Sequence, residues 1–345
     1  MLLNSDFFLP STLTGYARTA LLRLPINATS LQRWLPHQMI DDLAYRYTKG
    51  GDTLISAAPY RAYDAESTIA SRAGVTRISG ELPPISRKIV LTEYDRLRQR
   101  ANPDSSIQSA ILGDTERLVR QIAMRLEVAR GDALVNGSVT LNENGVKASV
   151  DFGRAGGASV TASTLWSTTA SADPIADLTT WVQAYVDMNG SAPGTILTST
   201  RVRGLLMRNA AIRSEAATLA GTPTLVSAAT LNAVLTNYSL PPLETYDVRY
   251  DVAGTATRVI ADNLALLLPA AGSPDDPNST DLGGTFLGTT AESLDPTYAL
   301  EGDEAGIVAG VYREEDPISI WTKAAAIALP VLANPNLCWK ATVAS

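Results

Sequence analysis

Residues 103–137 read PDSSIQSAILGDTERLVRQIAMRLEVARGDALVNG. Ile107, Ile111, Leu118, Ile122 and Leu126 fall on one face at helical spacing, Asn102 before Pro103, or Asp104, can cap the start, and Asn136-Gly137 supplies a stop. A helix over residues 103–135 is a rod about 50 Å long. Asp114 with Arg117, Glu116 with Arg120 and Glu127 with Arg130 stand three or four residues apart. They read as pairs on a solvated face, each worth roughly a few tenths of a kcal/mol. Gly113 costs about 1 kcal/mol relative to alanine inside a helix, so a bend or a close backbone approach is expected there.

Upstream of the rod, residues 51–92 read as a long two-stranded excursion. One limb runs from Thr53 through Tyr60-Arg61-Ala62-Tyr63, the return carries Pro83-Pro84 to Leu91, and Gly74 to Gly80 form the tip. Polar and apolar residues mix on both faces, and an isolated hairpin is marginal in water, so the ribbon calls for a partner surface. Residues 1–50 show short apolar clusters (Phe7-Phe8-Leu9, Leu21-Leu22, Trp34-Leu35) between Pro10, Pro25 and Pro36. Each proline interrupts helix or sheet, which predicts an irregular arm lying on its own subunit or on a neighbour.

Downstream, Val139 and Leu141 before Asn142-Glu143-Asn144-Gly145, with Val146, Ala148 and Val150 after it, predict a hairpin. Asp173-Pro174 opens a second amphipathic helix through Ile175, Leu178, Val182 and Tyr185, ended by Asn189-Gly190. A mixed region follows: a strand at 195–198, helices at about 200–211 and 227–238, and strands near 246–252, 258–261 and 265–268. Residues 272–288 read as a polar, turn-rich loop. The chain then closes in two short strands hinged on prolines, with Leu337, Trp339, Ala341 and Val343 on one face of the last. A closing strand pairs with residues distant in sequence.

At 345 residues and 45% apolar content the chain can fill two cores. No signal-like segment opens it, and the longest apolar stretch, Ala324 to Ala333, is about half a membrane span. The net charge of −7 is uneven. Residues 1–130 hold 17 basic and 13 acidic groups, residues 241–316 hold 3 and 15, so different faces suit different or complementary neighbours. Neither part is basic enough to predict tight nucleic-acid binding.

Catalytic patterns are sparse. The one cysteine, Cys338, excludes an internal disulfide, and the one histidine, His37, excludes a two-histidine metal site and reads as an inert loop residue. Gly153-Arg154-Ala155-Gly156-Gly157 and Gly283-Gly284-Thr285-Phe286-Leu287-Gly288 lack the lysine of a phosphate-binding loop and read as turns. Carboxylates cluster at Asp275-Asp276, at Glu301, Asp303 and Glu304, and at Glu314-Glu315-Asp316. They match no calcium loop and read as a solvated acidic rim.

Taken in order, these pieces resemble the Hong Kong 97-like capsid fold, an α+β class, and more specifically the major capsid protein E family of tailed phages, the lambda-like type. The resemblance is carried by Ala58-Pro59, by Pro83-Pro84 to Leu91, by Asp132-Ala133-Leu134-Val135-Asn136-Gly137, by Val150-Asp151-Phe152-Gly153-Arg154, by Trp166 and Asp173-Pro174, and by Lys323 to Val343. It implies a virion shell protein without active site, cofactor, metal or membrane contact, assembled in the host cytoplasm. It implies an N-terminal arm at 1–50, an extended E-loop at 51–92, a P-domain at 93–174 with spine helix 103–135 and hairpin, an A-domain at 175–310, and return strands at 311–345. Copies of the chain would form pentamers and hexamers closing an icosahedral head around double-stranded DNA, which they touch non-specifically. Tyr60, Arg61, Tyr63, Arg77, Arg87 and Trp34 would make inter-subunit contacts. Further partners would be a separate scaffolding protein, a portal and an optional decoration protein, and five lysines without a matching motif predict no covalent cross-link. Two other readings stand beside it: a nanocompartment shell that encloses protein cargo, and a cytosolic enzyme that uses the acidic clusters.

Overall fold

The computed structural model describes residues 2–23, 30–49, 58, 60–61, 63–64, 66–67, 76–98, 103–143, 145–217, 221, 223–274, 276–300 and 305–345. Its axis is the expected rod, a helix of 34 residues over Pro103–Asn136. Ile107, Ile111, Leu118, Ile122 and Leu126 are all buried. Gly137 ends the helix with φ at 67° and donates its N–H to Ala133 O at 2.8 Å. The helix runs through Gly113 without a break, in open space. The close approach is at Gly131, where a Cβ would sit 2.6 Å from Val259 Cγ1 and 3.0 Å from Val259 O.

The helix lies on a six-stranded sheet built round one strand of 15 residues, Ile318–Leu332. That strand pairs antiparallel with Val308–Glu315 and with Pro84–Leu91 over its first part, and with Gly283–Gly288 over its last. Ile320, Ala324 and Ala326 point into the helix-side core, and the two alanines let the helix backbone come close. Pro330 sits inside the strand opposite Thr285, so the expected pair of short, proline-hinged strands is one long strand followed by a 3-10 turn, Pro335–Leu337, and the strand Trp339–Thr342.

Two further corrections concern this sheet and a third the ribbon beside it in sequence. Gly283–Gly288 is a strand and not part of a loop: a Cβ on Gly283 would lie 2.1 Å from Val331 O and one on Gly284 2.8 Å from Gln38 Cδ, so the glycines permit close strand approach. Pro84–Leu91 belongs to this sheet and not to the ribbon. The ribbon's own pairing is Ala44–Lys49 with Thr76–Glu81, which makes residues 76–80 a strand and not the tip. Residues 53–57 of the expected outgoing limb and residues 301–304 of the acidic clusters lie outside the described residues.

The N-terminal residues are more ordered than their prolines suggested. Pro10 is the first residue of a helix, Pro10–Arg23, where its missing N–H is harmless. Leu13 and Ala17 enter the same core as Ile107, Ile111 and Leu118, and Thr14 Oγ1 donates to Ala309 O at 3.1 Å. Leu2–Leu3 and His37–Met39 add strands at the two margins of the sheet.

A second sheet, in the order 243–245, 195–198, 264–268, 339–342, 159–161, forms the other core with helices Pro174–Asn189, Thr200–Arg208, Ala210–Glu215 and Ala228–Asn237. Asp173 caps the first of these as expected, its side chain accepting from Ala176 N. Asn209 breaks the expected helix 200–211 in two by capping the second piece. The expected hairpin is Ser138–Glu143 with Val146–Asp151, with Val139 facing Val150 and Leu141 facing Ala148, and the pairing extends through Asn142 and Glu143, two of the residues expected in the turn. Trp339–Thr342 pairs with 264–268 and 159–161, so the C-terminus is tied to residues far away in sequence. Cys338 is buried just before it, and burial pushes its thiol up to about 11.

Candidate functional site

Two features stand out: a buried polar hub along the long helix, and exposed aromatic and basic groups on the ribbon and the first sheet. The hub centres on Glu127 and Arg130, which are 0% and 1% exposed and form an ion pair at 3.1 Å. They are not on a solvated face. Glu127 Oε1 accepts from Leu31 N and from Tyr246 Oη, each at 2.8 Å, and Oε2 accepts from Ser30 Oγ at 3.3 Å. Arg130 Nε donates to Thr285 Oγ1 at 2.9 Å, whose hydroxyl donates to Leu35 O at 2.9 Å. Arg130 Nη2 donates to His37 Nε2 at 2.7 Å.

The electrostatics follow from this packing. Burial first, and the Arg130 charge second, hold His37 down at about 3, so the ring is neutral and accepts the guanidinium hydrogen. Burial also pulls Arg130 below its ordinary value while Glu127 opposes it. Tyr246 is pushed up by burial and then by the Glu127 carboxylate. One carboxylate thus joins residues 30–31, the rod and the second sheet region. His37 is a structural acceptor, not an inert loop residue.

Sequence reasoning missed this hub. A signal existed: Ala123, Leu126, Val128, Ala129, Ala133 and Leu134 are all buried, so the second half of the rod is apolar on nearly every side and its charges have little water to face.

Between the two ribbon strands in sequence, Tyr60 and Tyr63 are 107% and 100% exposed, and Arg61 is exposed between them. Arg77 is in the strand Thr76–Glu81, opposite Thr48. Arg87 is exposed on Pro84–Leu91, opposite Ala324. Beside it Lys88 Nζ lies 4.3 Å from the Trp321 ring centroid, and Lys323, opposite Lys88, is paired with Glu292 at 2.6 Å. The ribbon's base is anchored: Tyr45 is buried, stacks on Phe286 at 6.1 Å, and leaves room only for glycine at position 80. Trp34 does not join this surface. It is fully buried, with Nε1 donating to Pro269 O at 2.9 Å, so it has no area to offer a neighbour.

Among the described residues no group of three or more histidine, cysteine or acidic side chains is placed to hold a metal, and no described helix is long and apolar enough to cross a membrane. His37 faces a guanidinium rather than a nucleophile.

Comparison with known proteins agrees with the order of elements. The model of the phage major capsid protein E family matches residues 49–343. No curated protein sequence matches the chain. A crystal structure of a candidate capsid protein from a prophage of E. coli CFT073 superposes with a TM-score of 0.62 at 14% identity, covering 96% of this chain and 99% of the other. A phage-related protein of Bordetella bronchiseptica RB50 gives 0.61 at 12% identity, covering 96% of each chain. At such identities the two structures establish the fold, and the family match spans most of the sequence. The chain belongs to the phage major capsid protein E family, shell-forming proteins with the Hong Kong 97-like fold.

Proposed function

We propose that the chain is the repeating tile of a phage head, assembled in the host cytoplasm from pentamers and hexamers that close an icosahedral shell around double-stranded DNA. The observation that carries this reading, beside the family, is the full exposure of Tyr60 and Tyr63, which lie in sequence between the two paired strands 44–49 and 76–81. Aromatic anchors gain most from a desolvated pocket, and this subunit gives them none.

In this reading the ribbon is the E-loop, based at residues 44–49 and 76–81, and the rod is the spine of the P-domain. Residues 175–310 form the A-domain. Tyr60, Arg61, Tyr63, Arg77 and Arg87 meet neighbouring subunits. The tile works mechanically, without catalysis, cofactor or membrane. Scaffolding comes from a separate protein, a portal and an optional decoration protein complete the head, and the DNA is touched non-specifically.

Expression with the products of neighbouring genes, followed by negative-stain microscopy, tests the reading. Closed shells are expected; a subunit that stays solitary under every condition overturns it, and shells filled with protein cargo but free of DNA favour a nanocompartment. Arg77→Glu and Arg87→Glu should each leave the subunit folded and lower shell yield, because rim charges set partner choice and register. Normal yield from both removes the inter-subunit role assigned to these two arginines.

A further inference from the structure

One end of the first sheet carries charges of both signs that form no ion pair among the described residues. Leu91 faces Ile320 in register, so the helix Glu93–Arg98 and the turn joining Glu315 to Ile318 leave the sheet at the same end. On the helix Arg98 is exposed, with Tyr94 and Leu97 67% and 60% exposed beside it. On the turn Glu315 and Asp316 are exposed, with Ile318 41% exposed. The Arg98 guanidinium lies 5.8 Å from the centroid of its own Tyr94 and forms no ion pair among the described residues, and neither do Glu315 and Asp316. Glu314 differs: its Oε2 accepts from Trp321 Nε1 at 2.9 Å.

We propose that this end is a self-complementary docking surface for a second copy of the chain, placed by a local two-fold axis. Arg98 of one copy meets Glu315 and Asp316 of the other, and the reverse contact forms at the same time. Tyr94, Leu97 and Ile318 close the apolar centre between the two charged contacts.

The arrangement favours this occupant on physical grounds. A two-fold contact needs each copy to carry both halves of the interaction, which is what a cation and an acidic turn at one end of the same sheet provide. A polyanion such as nucleic acid would meet the two carboxylates, and a basic partner would meet Arg98, so each is repelled by half of the surface. Exposed aromatic and aliphatic groups rimmed by charge have the composition of an interface centre and rim. The inference deepens the shell reading by naming one of the contacts between copies.

The test uses the full chain and charge reversal. Arg98→Glu is one set, Glu315→Lys with Asp316→Lys is the second, and all three changes together are the third. Self-association of the folded subunit is read by sedimentation velocity and shell yield by negative-stain microscopy. The melting temperature serves as a control, because all three side chains are exposed. Each of the first two sets should lower self-association and yield about tenfold or more, through like charges brought together, and the combined chain should recover both. No loss in the first two sets, or no recovery in the third, overturns the docking surface while leaving wild-type shells intact. Self-association that follows the charge reversal without any shells supports the surface and overturns the shell reading alone.

Discussion

Glu116 and Arg120 stand one turn apart in the first half of the long helix, 3.5 Å from each other, with side chains 42% and 63% exposed. Glu127 and Arg130, three residues apart in the second half, make the same kind of pair at 3.1 Å with almost no exposure. Spacing gives both pairs the ability to meet, but only the second is covered on all sides, by residues 30–37, Tyr246 and Thr285. The chemistry of a pair is local and its environment is not. In water an ion pair adds little because both charges are already solvated, whereas in the core each charge depends on the other.

Breaking the buried pair is expected to have the largest effect. Arg130→Met leaves Glu127 ionised and buried, and should cost about 3–5 kcal/mol in urea unfolding of the subunit. A loss as small as that expected at the surface would mean that the hub does not hold the fold. The pH dependence sharpens the same contrast. His37 titrates near 3 in the folded chain and near 6.5 when unfolded. Between these values the unfolded chain carries the extra proton, so the stability His37 contributes is complete above the upper value and lost as pH falls toward the lower one. The slope is up to about 1.4 kcal/mol per pH unit, and His37→Asn should flatten it between those two values, as read by unfolding at a series of pH values.

The two glycines of the helix extend the comparison to the backbone. Gly131→Ala forces a Cβ against Val259 and should destabilise the subunit by about 1–3 kcal/mol. Gly113→Ala meets open space and should stabilise it by up to about 1 kcal/mol, both read as shifts in unfolding midpoint. The smallest effect belongs to the exposed pair: Arg120→Ala should change stability by less than about 0.5 kcal/mol, and a larger loss would show that exposure alone does not separate the two pairs.

How much was legible depended on the range of each signal. The rod, its stop at Gly137, the hairpin at 138–151 and the capped helix after Asp173 were all readable, because periodicity, turn residues and caps act within a few residues of one another. The strand Gly283–Gly288 was not, because its glycines answer to the backbone of Val331 and to Gln38, which no local pattern announces. The helix at Pro10–Arg23 was hidden by its proline, which ends helices in the interior and starts them at the first turn. Pro84–Leu91 was readable as a strand but not as a neighbour of Ile318–Leu332. Of the candidate surface, Tyr60, Arg61, Tyr63 and Arg87 are exposed, while Trp34 is an apolar residue of the arm that the subunit itself covers.

The sequence by itself determined which segments of this protein are helix, hairpin and turn, because those choices are made by side chains acting on their own backbone. Only the tertiary structure decided that Glu127, Arg130 and His37 form one buried hub, and that the cation of Arg98 and the acids of Glu315 and Asp316 share one end of a sheet. Both depend on bringing together residues about a hundred to two hundred positions apart, and the free energy of that meeting comes from surfaces that exist only once the chain has folded.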